Sequence, residues 1–82
     1  MYAIIRGNVH YQAATKIELV QCVYTIEIKT LKNYTKEVYI NGKLDTITYS
    51  YEWSQSEVMT ETIKRCIRLL QNDGWILYKS ID

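Results

Sequence analysis

Apolar residues recur at helical spacing over only one clear stretch of the chain, between residues 54 and 74. Intervals of three and four residues, the period of one helix face, separate Met59, Ile63, Cys66, Ile67 and Leu70, with Leu69 at the border. Ser54 and Glu57 fit a capping box at its start, with Ser56 as an alternative N-cap. Gly74 suits the left-handed position that follows a helix. This pattern predicts one amphipathic helix.

Most of the remaining chain alternates between apolar and polar positions, which is typical of half-buried strands. We predict strands over residues 2–11, 16–30, 35–41, 44–53 and 75–81. Asn41-Gly42 predicts a type I′ hairpin between the third and the fourth. Within residues 16–30 the parity of the apolar positions reverses near Leu19–Val20, which we interpret as a β-bulge. Gly7 is interpreted as a bulge or a close backbone approach within the first strand.

These elements predict an α+β fold, namely a two-layer sandwich in which a mainly antiparallel sheet (ββββ) is covered by one helix. A fifth strand follows at the C-terminus. It has two placements, either antiparallel beside the first strand or parallel to another strand after a right-handed crossover. A chain of 82 residues is expected to form a single small domain, residues 1–82.

Composition and charge favour a folded domain and argue against several classes of function. The chain is 48% hydrophobic and 23% charged, which is ordinary for a folded domain, and its net charge of +1 implies no bulk attraction to nucleic acid or membrane. No apolar run has the length of a signal peptide core or a membrane span. Cys22 and Cys66 lie on predicted apolar stripes and are interpreted as buried free thiols. We therefore expect a cytoplasmic protein.

The sequence contains few residues suited to catalysis. His10 is the only histidine, and the chain lacks a nucleophile elbow, a glycine-rich phosphate loop and cysteine or histidine pairs at metal-ligand spacing. The glutamates Glu57 and Glu61 are accounted for by the helix N-terminal half. We predict a protein that is not an enzyme, with no catalytic residue, no cofactor and no metal.

Two groups of residues leave alternatives open. The alternating aromatics Tyr49, Tyr51 and Trp53 form either the core beneath the helix, which we favour, or a stacking platform for single-stranded nucleic acid. The basic residues of the helix form either an ordinary solvated face, which we favour, or a phosphate-binding patch together with Arg6 or Lys79. These basic residues are Lys64, Arg65 and Arg68.

The tyrosines and tryptophans exceed what so small a core is expected to hold, and both residue types are favoured at protein interfaces. An open sheet also leaves edges that pair with a partner or with a second copy. We predict a protein-binding domain, a regulator or inhibitor of viral or mobile-element origin, with an unidentified protein partner or a homo-oligomer formed through a sheet edge. The predicted binding residues are Tyr34, Tyr39, Trp53, Lys64, Arg65 and Arg68. The alternatives are a nucleic-acid-binding protein and a binder of a small ligand or nucleotide.

Overall fold

A computed structural model describes residues 1–30, 35–48 and 55–79 of the chain. The elements of this part follow one another as β1 (Tyr2–Arg6), β2 (Val9–Ala13), α1 (Lys16–Gln21), β3 (Ile26–Thr30), β4 (Thr35–Ile40), β5 (Lys43–Thr48), α2 (Gln55–Asn72) and β6 (Ile76–Lys79). Helices and antiparallel strands are both present, so the predicted α+β class is confirmed.

The strands form two three-stranded sheets, with orders β2-β1-β6 and β3-β4-β5. The single four- or five-stranded sheet that the sequence predicted is therefore wrong in detail. Helix α1 lies between β2 and β3 in the chain, and β3 pairs with β4 and does not return to the first sheet. The last strand takes the first of its two predicted placements, antiparallel to β1.

The first predicted strand is in fact a hairpin. Arg6 pairs with Val9 across a two-residue turn made by Gly7 and Asn8. Gly7 has φ +59°, whereas Asn8 has no positive φ, which is the pattern of a type II′ turn with glycine at its first central position. The interpretation of Gly7 as a bulge was wrong, because this residue reverses the chain.

The second predicted strand begins as helix α1, so the bulge near Leu19–Val20 was also wrong. Thr15 is the N-cap, and its Oγ1 accepts a hydrogen bond from the backbone N–H of Glu18 at 3.2 Å. Leu19 and Val20 are both fully buried, and adjacent residues share the inner side of a short helix more easily than of a strand. The Thr15–Glu18 spacing is that of a capping box, and it was the signal that the strand interpretation overlooked.

The predicted hairpin at Asn41-Gly42 is confirmed. Asn41 has φ +53° and Gly42 has φ +78°, as a type I′ turn requires. Asn41 also joins the hairpin to the start of β3, since its Oδ1 accepts from the N–H of Thr25 at 2.9 Å and its own N–H donates to the Thr25 carbonyl at 2.8 Å.

Helix α2 is the predicted amphipathic helix. Its buried positions include the predicted Ile63, Cys66 and Leu70, while Leu69 is 47% exposed at the border. The helix ends in a Schellman motif, in which the N–H of Trp75 donates to the Leu70 carbonyl at 3.0 Å and the N–H of Gly74 to the Gln71 carbonyl at 3.2 Å.

The core joins the two sheets through α2, which packs against β4 of one sheet and β6 of the other. Its buried apolar members are Ile4, Leu19, Val20, Val38, Ile40, Ile47, Val58, Ile63, Cys66, Leu70 and Trp75. The buried thiol predicted for Cys66 is confirmed, but Cys22 is exposed. Cys22 caps the C-terminal end of α1, where its side chain lies outside the buried face formed by Leu19 and Val20.

We expect Gly74→Ala to lower the free energy of unfolding by about 1–2 kcal/mol, because an L-residue is strained in the left-handed region. Gly74 has φ +91°, and an added Cβ would meet only the Cδ of Arg6 at an ordinary 3.9 Å, so the loss would be conformational. Urea unfolding measures it. Asn72→Ala, two residues earlier inside the helix, is the control and should cause no comparable loss; equal stability of both variants would contradict the prediction.

We expect Thr15→Ala to cost about 1 kcal/mol of unfolding free energy, since it removes the side-chain acceptor of an orphan helix N–H. Thr15→Ser keeps a hydroxyl at the same position and should retain most of that stability. Chemical denaturation measures the unfolding free energy of both variants. Equal values for the alanine and the serine variant would contradict a capping role for the Thr15 hydroxyl.

Candidate interaction surface

The outer face of the β2-β1-β6 sheet exposes apolar side chains. In the antiparallel register Ile5 lies opposite both His10 and Ile76, and Ala3 lies opposite both Gln12 and Tyr78. Side chains directly opposite one another point to the same side of a sheet. Since Ile4, on the other side, is buried in the core, these residues face outward. We call this surface the β6 face: Ala3, Ile5, His10, Gln12, Ile76 and Tyr78.

Two members of the β6 face are large and well exposed. Ile76 is 55% exposed and Tyr78 is 50% exposed, and both lie on β6. None of the six residues carries a formal charge while His10 is neutral. Single exposed apolar residues are normal on a protein surface, but neighbouring ones on one strand form a patch.

Strand β6 is also an edge strand. It pairs with β1, and no other described strand lies along the far side of its backbone. Natural edge strands are blunted by charged side chains, prolines or bulges. Here the only charged residue of β6 is Lys79, at its last position and on the inner side of the sheet.

The β6 edge is held in place by a cluster around Trp75. This side chain is 5% exposed, and its ring lies 4.9 Å from the guanidinium carbon of Arg6 and 5.8 Å from the ring centroid of Tyr11. The same guanidinium pairs with the carboxylate of Asp73. Because Arg6 belongs to β1 and Asp73 follows α2, the cluster fixes the direction in which β6 leaves the helix.

The outer face of the second sheet is different in character. Glu27 lies opposite Tyr39, and Lys29 lies opposite Glu37. Lys29 Nζ is 3.6 Å from Glu27 Oε1 and lies 4.9 Å from the Tyr39 ring centroid. This face is therefore charged, with the two carboxylates of Glu27 and Glu37 beside the ammonium group of Lys29.

Tyr39, a predicted binding residue, lies within this charged network. Its hydroxyl donates to Glu37 Oε2 at 2.7 Å, and this hydrogen bond is the main reason why the pKa of Tyr39 is raised above its usual 10.0. Its neighbours on β4, Val38 and Ile40, are buried toward the core, so Tyr39 points away from α2.

The structure does not gather the predicted basic residues of α2 into one patch. Arg65 Nη1 lies 2.9 Å from Asp45 Oδ2 of β5, so its charge is largely offset. Arg68 lines a shallow depression beside this pair. Lys64 instead lines a groove of about 440 Å³ between α1 and α2, whose apolar wall includes Ile17 and Ile67.

The other predicted aromatic residues lie outside the described part of the chain. This applies to Tyr34 and Trp53 among the predicted binding residues, and to Tyr49 and Tyr51 of the aromatic stripe. Ile47, two residues before Tyr49, is 1% exposed on the core side of β5.

Sequence reasoning missed the β6 face, although a signal was present. Trp75, Ile76, Leu77 and Tyr78 are consecutive apolar residues, so both faces of this strand are apolar. A strand covered on one side only should alternate, and one that does not is expected to have a second surface to bury.

Groups suited to chemistry are sparse. Within residues 1–30, 35–48 and 55–79, no three His, Cys, Asp or Glu side chains come together in a way that would hold a metal ion. Burial raises the pKa of the Cys66 thiol from 9.0 to about 11, which disfavours the reactive thiolate. Neither described helix combines the length and apolar character needed to span a membrane.

A scan against protein-family models matched none, and searches of curated proteins and of solved structures returned no significant match.

We expect a thiol reagent at pH 8 to modify Cys22 rapidly and Cys66 only after unfolding. Cys22 is exposed, whereas Cys66 is buried and its raised pKa leaves very little thiolate below pH 9. Titration with a chromogenic disulfide reagent should count one thiol in the native protein and both in denaturant. Cys22→Ser should abolish the native reaction; rapid labelling of that variant would contradict the assignment.

Proposed function

We propose that this protein is a small, non-enzymatic protein-binding domain and that its contact surface is the β6 face together with the open edge of β6. The observation that carries the proposal is the pair Ile76 and Tyr78, both about half exposed, on an edge strand whose outer side bears no formal charge. Tyrosine and aliphatic side chains beside one another supply the apolar centre that protein interfaces need.

The backbone of β6 supplies the second half of the site. An open strand edge presents unpaired N–H and C=O groups, which an extended segment of another chain satisfies by adding a strand. Main-chain hydrogen bonds then provide affinity, while Ile76 and Tyr78 contact every second side chain of the added strand. The partner segment that fits is extended and apolar on one face.

The charges of the chain favour protein over nucleic acid. Arg65 is paired with Asp45, and Arg6 is paired with Asp73. Lys64 lines a different groove from Arg65 and Arg68. A nucleic-acid surface needs basic side chains that converge on phosphates, whereas here Arg6 and Arg65 are already paired and Lys64 lies apart from Arg68.

We expect the double variant Ile76→Thr/Tyr78→Thr to lose protein capture while keeping its fold, because threonine retains strand propensity and removes the apolar contact. The test is an affinity pull-down from nuclease-treated lysate of the source organism, scored as bands held by the wild type and lost by the variant. Leu44→Thr is the matched control: Leu44 is 57% exposed on β5, an edge strand of the second sheet among the described strands.

Capture that survives in the double variant would contradict the assignment of the surface. Bands that disappear on nuclease treatment of the wild type would replace the proposal with nucleic-acid binding. Loss of capture in Leu44→Thr to the same degree would show that exposed apolar area in general, and not the β6 face, causes binding.

A further inference from the structure

We infer that the strand received by the β6 edge is β6 of a second copy of this chain, which joins two three-stranded sheets into one of six strands with the order β2-β1-β6-β6-β1-β2. This inference rests on the proposed function and names the partner. Its starting points are the side of β6 along which no described strand pairs and the exposed pair Ile76 and Tyr78.

The pleat restricts how two copies of β6 can pair. A two-fold axis perpendicular to the sheet makes the strands antiparallel and keeps the outer faces of both copies on the same side. Residues directly opposite one another must then share a face. The axis therefore lies midway between the two copies of one residue, and each residue before it in one strand faces the residue equally far after it in the other. For the four-residue strand, the two central choices are Leu77 and Tyr78.

The register centred on Leu77 is favoured by the side chains that it brings together. It places Ile76 of each copy opposite Tyr78 of the other on the outer face, and Leu77 opposite Leu77 on the inner face. The register centred on Tyr78 would instead place Lys79 opposite Leu77. Aromatic–β-branched pairs stabilise neighbouring strands, so the first register is the one we propose.

Charge also favours a second copy at this edge. In a two-fold contact each surface meets itself, so any net charge at its centre is repelled. The outer face of β6 presents Ile76 and Tyr78, which are uncharged. By contrast, β3 presents Glu27 and Lys29 on its outer face. Charge therefore disfavours self-pairing more at the β3 edge than at the β6 edge.

The size of the contact sets its expected strength. Four residues of β6 and two exposed side chains per copy form a small interface, which belongs with the weak and transient class. We therefore expect a reversible dimer whose population rises with concentration, with a dissociation constant in the micromolar range.

The test is sedimentation velocity on the intact protein over a concentration series, with two charge variants designed for this register. The acidic variant is Ile76→Glu/Tyr78→Glu and the basic variant is Ile76→Lys/Tyr78→Lys. For each variant alone, the dissociation constant of the dimer should be at least about tenfold higher than for the wild type, because both cross-strand pairs become like-charged. Mixed in equal amounts they should form a heterodimer, because each acidic side chain then lies opposite a basic one.

The control is Leu44→Glu/Thr46→Glu, which places the same charges at the same spacing on the outer face of β5 and should leave the wild-type dissociation constant unchanged. Circular dichroism checks that each variant is folded. If a variant does not fold, hydrogen exchange on the wild type decides the question: β6 amides should exchange more slowly as concentration rises, and concentration-independent exchange would overturn the inference.

A wild type that stays monomeric over the whole series would also overturn self-pairing, as would a mixture of the two charge variants that remains monomeric. Monomeric protein that nevertheless captures another protein, with capture lost in Ile76→Thr/Tyr78→Thr, would overturn this inference alone and leave the proposed function standing.

Discussion

The turn at Gly74 and the burial of Trp75 hold this fold together. The Schellman hydrogen bonds end α2 and direct the chain into β6 with only Trp75 between them. Trp75 is then covered by Arg6 of β1 and Tyr11 of β2. One residue therefore connects the end of the long helix to the β1–β2 hairpin, and the position of β6 beside β1 follows from it.

Helix α2 has the same connecting role for the molecule as a whole. A sheet with one hydrophobic face must bury that face against another element. Here α2 packs against both, and Val38 and Ile47 of the second sheet belong to the same core as Ile4 of the first. Arg65 adds a polar contact to Asp45 of β5, although partly exposed ion pairs contribute little to stability.

Two small sheets expose more edges than one larger sheet, and this is the structural origin of the proposed function. The two outer faces differ: Glu27, Lys29 and Glu37 make the second sheet polar, while Ile76 and Tyr78 make the first apolar. Burying the polar face against a partner would require its ion pair and hydrogen bond to be desolvated. Covering the apolar face would remove hydrocarbon from water, so association would cost less on this face than on the polar one.

Local signals in the sequence were sufficient for α2, for the Asn41-Gly42 hairpin and for the α+β class, because helical periodicity, positive-φ turn residues and strand alternation act over a few neighbouring residues. The capping pair Thr15 and Glu18 was such a signal for α1, but the six residues of this helix, three of them apolar, fit a strand equally well until their packing is known. Three features depend on contacts between residues far apart in the chain: the partition into two sheets, the pairing of β6 with β1 and the exposure of Ile76. The tertiary structure decided these three features, because the sequence pattern shows which side chains are apolar but does not show which surface they pack against.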